Sequence, residues 1–199
     1  MTSRRERSAE TEQALKDAAR RVFAERGYLN TKITDITAAA GRAAGSFYNH
    51  FTGKDDLLRA LLEDMAVQSS GLGGEPGHNP DFSDPEAVRA HIADYWSFAR
   101  ANEPVLRAMN QAAIINDEFA RLVARFSADV RRDVADHLDG LADKGLTLPA
   151  APDASLAMVF LVVSQLLQAV VDGTVQISDE QAVDGLTRFV YRGLTGRDF

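Results

Sequence analysis

The sequence contains no cysteine among its 199 residues. Without thiols the chain forms neither disulfides nor a cysteine-ligated zinc or iron–sulfur site, so nothing in it requires an oxidising compartment. Strand patterns are also nearly absent, because apolar residues recur at spacings of three and four rather than in alternation. These absences exclude a disulfide-stapled fold and favour an all-α protein.

Leader and catalytic motifs are missing as well. Residues 1–12 begin basic and then mix both charges, without the apolar core that a signal peptide needs, so we expect a cytoplasmic protein. No nucleophile elbow, Walker loop or GxGxxG fingerprint occurs. We therefore expect neither an enzyme nor a bound cofactor.

Histidines are few and lack the spacing of metal ligands. The three histidines at 78, 91 and 137 are far apart in the sequence and form no HxxxH or HExxH pair. His91 and Asp94, three residues apart, are the only neighbouring pair in the sequence that could begin a metal site. The sequence therefore predicts no metal site.

Charge is distributed unevenly along the chain, whose formal net charge is −7. Residues 1–60 carry 11 Lys and Arg against 8 Asp and Glu, a net +3, whereas the remaining residues carry 11 against 21, a net −10. Such asymmetry indicates a small basic module attached to an acidic body. Only the first part suits a polyphosphate partner.

Apolar periodicity predicts about nine helices. Ser8 is a candidate cap for the first helix and Gly27 its terminator, while Pro85 suits the first turn of a later one. A Gly/Pro-rich stretch, 71–80, predicts a mobile loop. The predicted helices cover 8–26, two short segments within 31–51, then 54–69, 85–101, 103–115, 117–143, 153–175 and 179–194.

The segment 153–175 is apolar almost all round, which predicts burial on two sides. A transmembrane helix is the alternative. Ser164, Gln165 and Gln168 interrupt the segment, which falls short of about 20 clean apolar residues. The sequence therefore favours a core helix and no membrane association.

The two short helices are joined by a turn at Gly41. Phe47 and Phe51 are four residues apart, so both point into a small core with Phe23, Ile33 and Ile36. A pair of short helices supported by longer neighbours is how a helix-turn-helix enters the DNA major groove.

The side chains that this core leaves outside are candidates for DNA contact. Gly45 and Ser46 let the backbone approach base edges, Asn49 suits a base, and Tyr48 and His50 suit phosphates. Thr31 is a candidate cap for the second helix. The full candidate set is Thr31, Lys32, Arg42, Gly45, Ser46, Tyr48, Asn49, His50 and Lys54.

Together these motifs resemble the TetR family of transcriptional regulators. The resemblance is carried by Gly27-Tyr28, by 31–36, by Ala40-Gly41, by 45–51 and by 54–58. It implies a helix-turn-helix domain over 1–53 and a ligand-binding and dimerisation domain over 54–199. It also implies a homodimer through the last two helices, a palindromic double-stranded DNA operator and a small-molecule effector, and it puts Lys54 at a phosphate-contacting helix start.

The chain departs from the family pattern at the turn. Arg42 and Ala43 stand where an apolar residue and a capping Ser or Thr are usual, and Ala44 where a basic residue is common. Thr52-Gly53 replaces the usual Pro-Ser. We therefore expect a recognition helix without a side-chain cap, and specificity that depends on Ser46, Asn49 and Arg42.

Apolar residues of the later helices suit either packing or an effector cavity. Gln165, Gln168 and Asp172 on a mainly apolar helix need partners, for which a second subunit is the favoured source. The candidate ligand-binding residues are Trp96, Met109, Phe119, Phe126, Met158 and Gln165.

The favoured hypothesis is thus a ligand-responsive homodimeric regulator, more specifically a repressor. Two alternatives stay open: a constitutive DNA-binding dimer without effector, and a helical-bundle enzyme or scaffold that does not bind DNA. The sequence does not give the operator, the effector, the regulated genes, the choice between repression and activation, or pairing of dimers on DNA.

Overall fold

The structure is a computed structural model that describes residues 3–69 and 78–198. The described residues form nine α-helices and two short 3-10 turns and contain no strand, which confirms the all-α prediction. The loop predicted over 71–80 lies mostly outside them. The helices are α1 Arg4–Arg26, α2 Ile33–Ala39, α3 Ala44–Phe47, α4 Lys54–Ser69, α5 Pro85–Ala101, α6 Glu103–Ile115, α7 Asp117–Asp133, α8 Pro152–Val171 and α9 Asp179–Thr195.

The first helix begins one turn earlier than the sequence indicates. Ser3 is its N-cap, accepting a hydrogen bond from the Glu6 N–H while the Glu6 carboxylate accepts one from the Ser3 N–H. This reciprocal capping box displaces Ser8 into the helix, so the predicted Ser8 cap is wrong. The predicted end is confirmed, because Gly27 has φ +72° and its N–H donates to the Phe23 carbonyl.

The long helix predicted over 117–143 is also wrong. It ends at Asp133 and is followed by the 3-10 turns Ala135–Leu138 and Ala142–Lys144. The Phe82 N–H donates to the His137 carbonyl at 3.3 Å, so this carbonyl is held by a neighbouring segment. Gly145 closes the region at φ +68°, a conformation that an L side chain rarely adopts.

The chain divides into two compact units. One combines the described residues up to 69 with Asn102–Ala124, and the other comprises the described residues of 78–101 with those from Arg125 onward. The first unit therefore contains α6 and the first half of α7 in addition to the four N-terminal helices. The expected functional boundary after residue 53 stays a prediction.

Aromatic and leucine side chains fill the core of the first unit. Phe23, Ile36 and Phe47 are fully or almost fully buried, as the helix-turn-helix pattern predicts. The predicted inward face of α4 is buried too. It consists of Leu57, Leu58, Leu61, Leu62 and Met65.

In the second unit α5 packs against α8 and α9. The indole N–H of Trp96 donates to the Asp179 carboxylate at 3.0 Å, and the Tyr191 hydroxyl donates to the Ser83 carbonyl at 3.1 Å. These bonds fix both ends of α9 against α5 and the residues preceding it.

Helix α8 is apolar but mostly uncovered by the rest of the described chain. Only Ser155, Leu156, Val163 and Leu167 are buried, so burial on both sides is not achieved within one chain. Among the described residues it is also the one helix long and apolar enough to cross a membrane by length and composition, with hydropathy 2.1. Its exposed face carries large apolar side chains.

Candidate nucleic-acid interface

The start of α2 is fixed by Asp35. Its carboxylate accepts a hydrogen bond from the Lys32 N–H at 2.9 Å. The Thr31 hydroxyl instead donates to the Gly27 carbonyl at 2.7 Å and is buried, so the predicted Thr31 cap is wrong. Thr31 closes the end of α1 and has no exposed group for DNA.

The predicted recognition helix, α3, is a single turn. Its N-cap, Ala43, makes no side-chain capping bond, as expected from the departure in the sequence. Gly41, at φ +62°, provides the preceding turn, and Phe47 anchors the helix with its ring 5.6 Å from that of Phe51. The short helix is thus held by its buried aromatic residues.

Most of the predicted contact residues form an exposed surface. Tyr48 is 61% exposed, and Arg42 and Asn49 are exposed as well. Lys32 and Gly45 are also exposed, while Ser46 is half-buried. No Cβ at Gly45 would meet an atom within 4 Å, so this backbone is open to a close partner.

His50 lies elsewhere. Its side chain is only 9% exposed, and its Nδ1 is 3.7 Å from the Glu12 carboxylate on α1. The structure therefore places His50 between α3 and α1, away from the exposed face on which the sequence put it.

Lys54 is engaged within the protein. Its ammonium donates to the carbonyls of Tyr28, at 2.6 Å, and Thr31, at 2.9 Å, and lies 4.2 Å from the Tyr28 ring centroid. Burial lowers the pKa of Lys54. The ammonium expected at a phosphate thus joins α4 to the connection between α1 and α2.

The cations of residues 3–53 fall into two groups. Lys16 and Arg20 pair with Asp64, and Arg26 pairs with Asp35. Within the described residues, the second group consists of exposed cations that have no acidic partner. Four of them were not predicted as contact residues, although the basic N-terminal segment is visible in the sequence. This group comprises Arg4, Arg5, Arg7, Arg21, Lys32 and Arg42.

Helix α6 forms hydrogen bonds to the backbone at the end of α1, just before the helix-turn-helix. Arg107 donates to the carbonyls of Phe23, at 3.1 Å, and Ala24, at 2.6 Å. Gln111 accepts from the Tyr28 N–H at 2.7 Å. The end of α1 is therefore bonded to α6, which sequence reasoning missed because the partners are more than 80 residues apart.

Residues 15–61 match the family described as bacterial regulatory proteins, tetR family. The chain carries a TetR-family N-terminal domain. A curated relative, the HTH-type transcriptional repressor KstR2 of Rhodococcus jostii strain RHA1, is 46% identical over 67 residues, which are 29% of this chain and 33% of that protein. The chain covers about a third of the length of the first curated relatives it matches.

Solved structures extend the likeness to the whole fold. The fatty acid degradation regulator FadR from Bacillus halodurans has a TM-score of 0.76 at 19% identity, covering 95% of this chain and 97% of its own. AibR, solved with isovaleryl coenzyme A and operator DNA, has a TM-score of 0.69 at 17% identity, covering 91% and 98%. The TetR fold predicted from the sequence is confirmed.

The predicted effector residues are dispersed over the TetR fold. Met109 and Phe119 are buried in the first unit, and Trp96 is buried in the second with its indole on Asp179. Phe126 is half-buried. Met158 is 52% exposed and Gln165 is exposed, so a shared ligand cavity stays a prediction.

A polar pair that sequence reasoning missed lies between α5 and α8. The Tyr95 hydroxyl is 3.1 Å from the Ser164 hydroxyl, and the Tyr95 ring lies 5.3 Å from that of Phe160. Burial raises the pKa of Tyr95, which keeps its hydroxyl neutral. The signal in the sequence was Ser164 itself, a polar residue within an apolar helix.

Proposed function

We propose that the protein is a ligand-responsive transcriptional repressor that binds a palindromic operator as a homodimer and releases it when a small molecule binds. The observation that carries the proposal is the TetR-family domain whose segment around α3 exposes Arg42, Tyr48 and Asn49 over a closed aromatic core.

Each exposed group suits a different part of DNA. Gly45 and Ser46 allow close approach to base edges, while Asn49 suits an adenine in the major groove. Arg42, Lys32 and Tyr48 suit phosphates, which set register and orientation rather than sequence. The exposed arginines at the start of α1 add charge without an acidic neighbour among the described residues.

A second copy of the chain is the proposed cover for α8 and α9. Met158, Leu161 and Phe189 are 52%, 62% and 64% exposed, an unusual cost for apolar side chains of this size. Met158, Leu161 and Gln165 are spaced by three and four residues, so they share one face of α8. A two-fold interface would bury this face and provide a partner for Gln165.

Effector response requires that the ligand prefer one arrangement of the DNA-binding unit. Helix α6 bonds directly to the end of α1, so a shift of α6 would change the position of the helix-turn-helix. The Tyr95–Ser164 pair is a candidate anchor for a polar group of the effector. Because AibR binds isovaleryl coenzyme A, short acyl-coenzyme A thioesters are the first probes.

Fluorescence anisotropy with duplexes selected from random DNA tests the DNA proposal. We expect Arg42→Ala to weaken binding and to reduce the magnitude of the salt slope by about one. Asn49→Ala should relax base preference by about 1–3 kcal/mol at one position. Arg125→Ala, an exposed arginine of α7, is the matched control. Wild-type affinity in both site variants would contradict the proposal.

The effector proposal is tested separately, by adding acyl-coenzyme A thioesters and a metabolite library to the protein–DNA complex. We expect the effector to release DNA from the wild-type protein but not from Tyr95→Phe. DNA binding that no compound changes would favour the constitutive dimer instead.

A further inference from the structure

Three histidines meet in the second unit. His91 lies on α5, His137 on the 3-10 turn Ala135–Leu138, and His78 in the segment before α5. Their candidate ligand atoms all lie within 4.8 Å of one another, and their ring centroids are 4.7–5.0 Å apart. Spacing in the sequence does not reveal this cluster, because the fold joins positions up to 59 residues apart.

One ring nitrogen of His91 lies at this cluster without a hydrogen-bond partner among the described residues. Its Nδ1 is 2.7 Å from the Ala87 carbonyl, which only accepts hydrogen bonds, so Nδ1 carries the proton and Nε2 the lone pair. Nε2 is buried and has no hydrogen-bond partner among the described residues. A buried acceptor without a partner destabilises a fold unless something binds it.

His137 is oriented in the same way. Its Nδ1 lies 2.7 Å from the Asp136 carboxylate and therefore donates to it, which leaves Nε2 with a lone pair. That Nε2 is 2.9 Å from Nε2 of His78. A carboxylate behind a histidine is the usual outer support of a metal ligand, because it fixes the tautomer and makes the other nitrogen a stronger base.

We propose that His78, His91 and His137 bind one divalent first-row transition-metal ion, with zinc as the expected occupant. Neutral imidazole nitrogens suit zinc and its neighbours rather than magnesium or calcium, which prefer oxygen. A hydrogen-bond network alone explains two of the three imidazoles, since the contact between His78 and His137 leaves His91 Nε2 unpaired. A metal ion satisfies all three.

The dimensions fit this ion after small adjustments. Zinc–nitrogen bonds of about 2.0–2.1 Å in a tetrahedron place ligand nitrogens about 3.3 Å apart. The two Nε2 atoms of His78 and His137 are 2.9 Å apart, and the candidate ligand atoms of all three histidines lie within 4.8 Å of one another. The expected ligand spacing lies between these two distances. Three protein ligands leave a fourth position for water or a donor atom of another molecule.

The surroundings hold the ligands in place. The Phe82 ring lies 4.9 Å from His91 and 5.2 Å from His137, and its N–H binds the His137 carbonyl. Nearby, Lys144 donates to Asp81 and, at 2.6 Å, to the Ser83 hydroxyl. The segment bearing His78 is thus fixed to the region after α7, and an ion would link both to α5.

Metal binding is tested on the full chain without a histidine tag and after removal of bound metals. Co²⁺ titration should give visible d–d absorption bands at one ion per chain, which Zn²⁺ then abolishes, and Zn²⁺ should raise the melting temperature. His91→Gln should remove the bands. Asp136→Asn should weaken Zn²⁺ binding roughly 10- to 100-fold.

The fourth histidine of the chain provides the control. His50 lies in the first unit, so His50→Gln should bind Co²⁺ and Zn²⁺ as the wild type does. If His91→Gln fails to fold, His78→Gln decides, because His78 is half-buried in a loop. Absence of stoichiometric binding, or wild-type binding by the folded His78 or His91 variant, would overturn the proposal. DNA binding is measured separately and does not enter this result.

Discussion

The Gln111 side chain accepts a hydrogen bond from the backbone N–H of Tyr28 at 2.7 Å, although the two residues are 83 positions apart. The Tyr28 carbonyl accepts from Lys54, and the Tyr28 hydroxyl bonds to Asp55. The residue after the C-terminal glycine of α1 is therefore held by α4 and α6 at once. This junction determines how firmly the helix-turn-helix is attached.

Removing the Gln111 amide tests the junction. Gln111→Ala leaves the N–H of the buried Tyr28 without its acceptor, so we expect the free energy of unfolding to fall by about 1–3 kcal/mol. Urea unfolding followed by circular dichroism measures it. Gln68→Ala, an exposed glutamine of α4, should change stability by less than about 0.5 kcal/mol. Equal effects of the two substitutions would contradict the assignment.

Gly27→Ala acts on the same contact from the other side. Gly27 has φ +72° and ψ 162°, a region nearly restricted to glycine that costs other residues about 1–3 kcal/mol. Its new Cβ would lie 2.9 Å from Gln111 Oε1 and would displace the amide. We expect a larger loss of stability than in Gly140→Ala, where nothing lies within 4 Å of the Cβ and φ is not positive.

A double-mutant cycle separates the two costs. The clash disappears in Gly27→Ala/Gln111→Ala, whereas the backbone strain persists, so the combined loss should be smaller than the sum of the single losses. If the two single stability losses simply add, the Gln111 side chain moves away from the new Cβ without a loss of stability.

Local chemistry explains which features the sequence predicts well. Gly27 and Pro85 bound their helices through their own backbone preferences, and the aromatic spacing of Phe47 and Phe51 fixes the small core. Thr31 and His50 were misplaced because their partners, the Gly27 carbonyl and the Glu12 carboxylate, precede the two short helices and do not follow from the apolar pattern. The histidine cluster was missed for the same reason, since its members come from three separate segments.

Lys54→Met distinguishes a positioning role from a phosphate contact. The methionine keeps much of the apolar stem but leaves the Tyr28 and Thr31 carbonyls without their donor. We expect lower stability and weaker DNA binding, with an unchanged slope of log K against log salt, because no phosphate contact is lost. Arg42→Ala should reduce the magnitude of that slope by about one in the same assay. If Lys54→Met reduces the salt slope as much as Arg42→Ala does, Lys54 contacts a phosphate, as the family resemblance implies.

Leu161→Glu tests the proposed second copy against α8. Leu161 is 62% exposed in the single chain, so the substitution should leave the fold of the monomer intact. Burial of a leucine contributes about 1.5–3 kcal/mol, and a two-fold interface contains it twice, so the dissociation constant should rise more than about 100-fold. Sedimentation equilibrium measures this change. Ile114→Glu, at a 78% exposed position of α6, should leave association unchanged. If both variants associate as the wild type does, the face of α8 that carries Leu161 is not the dimer interface.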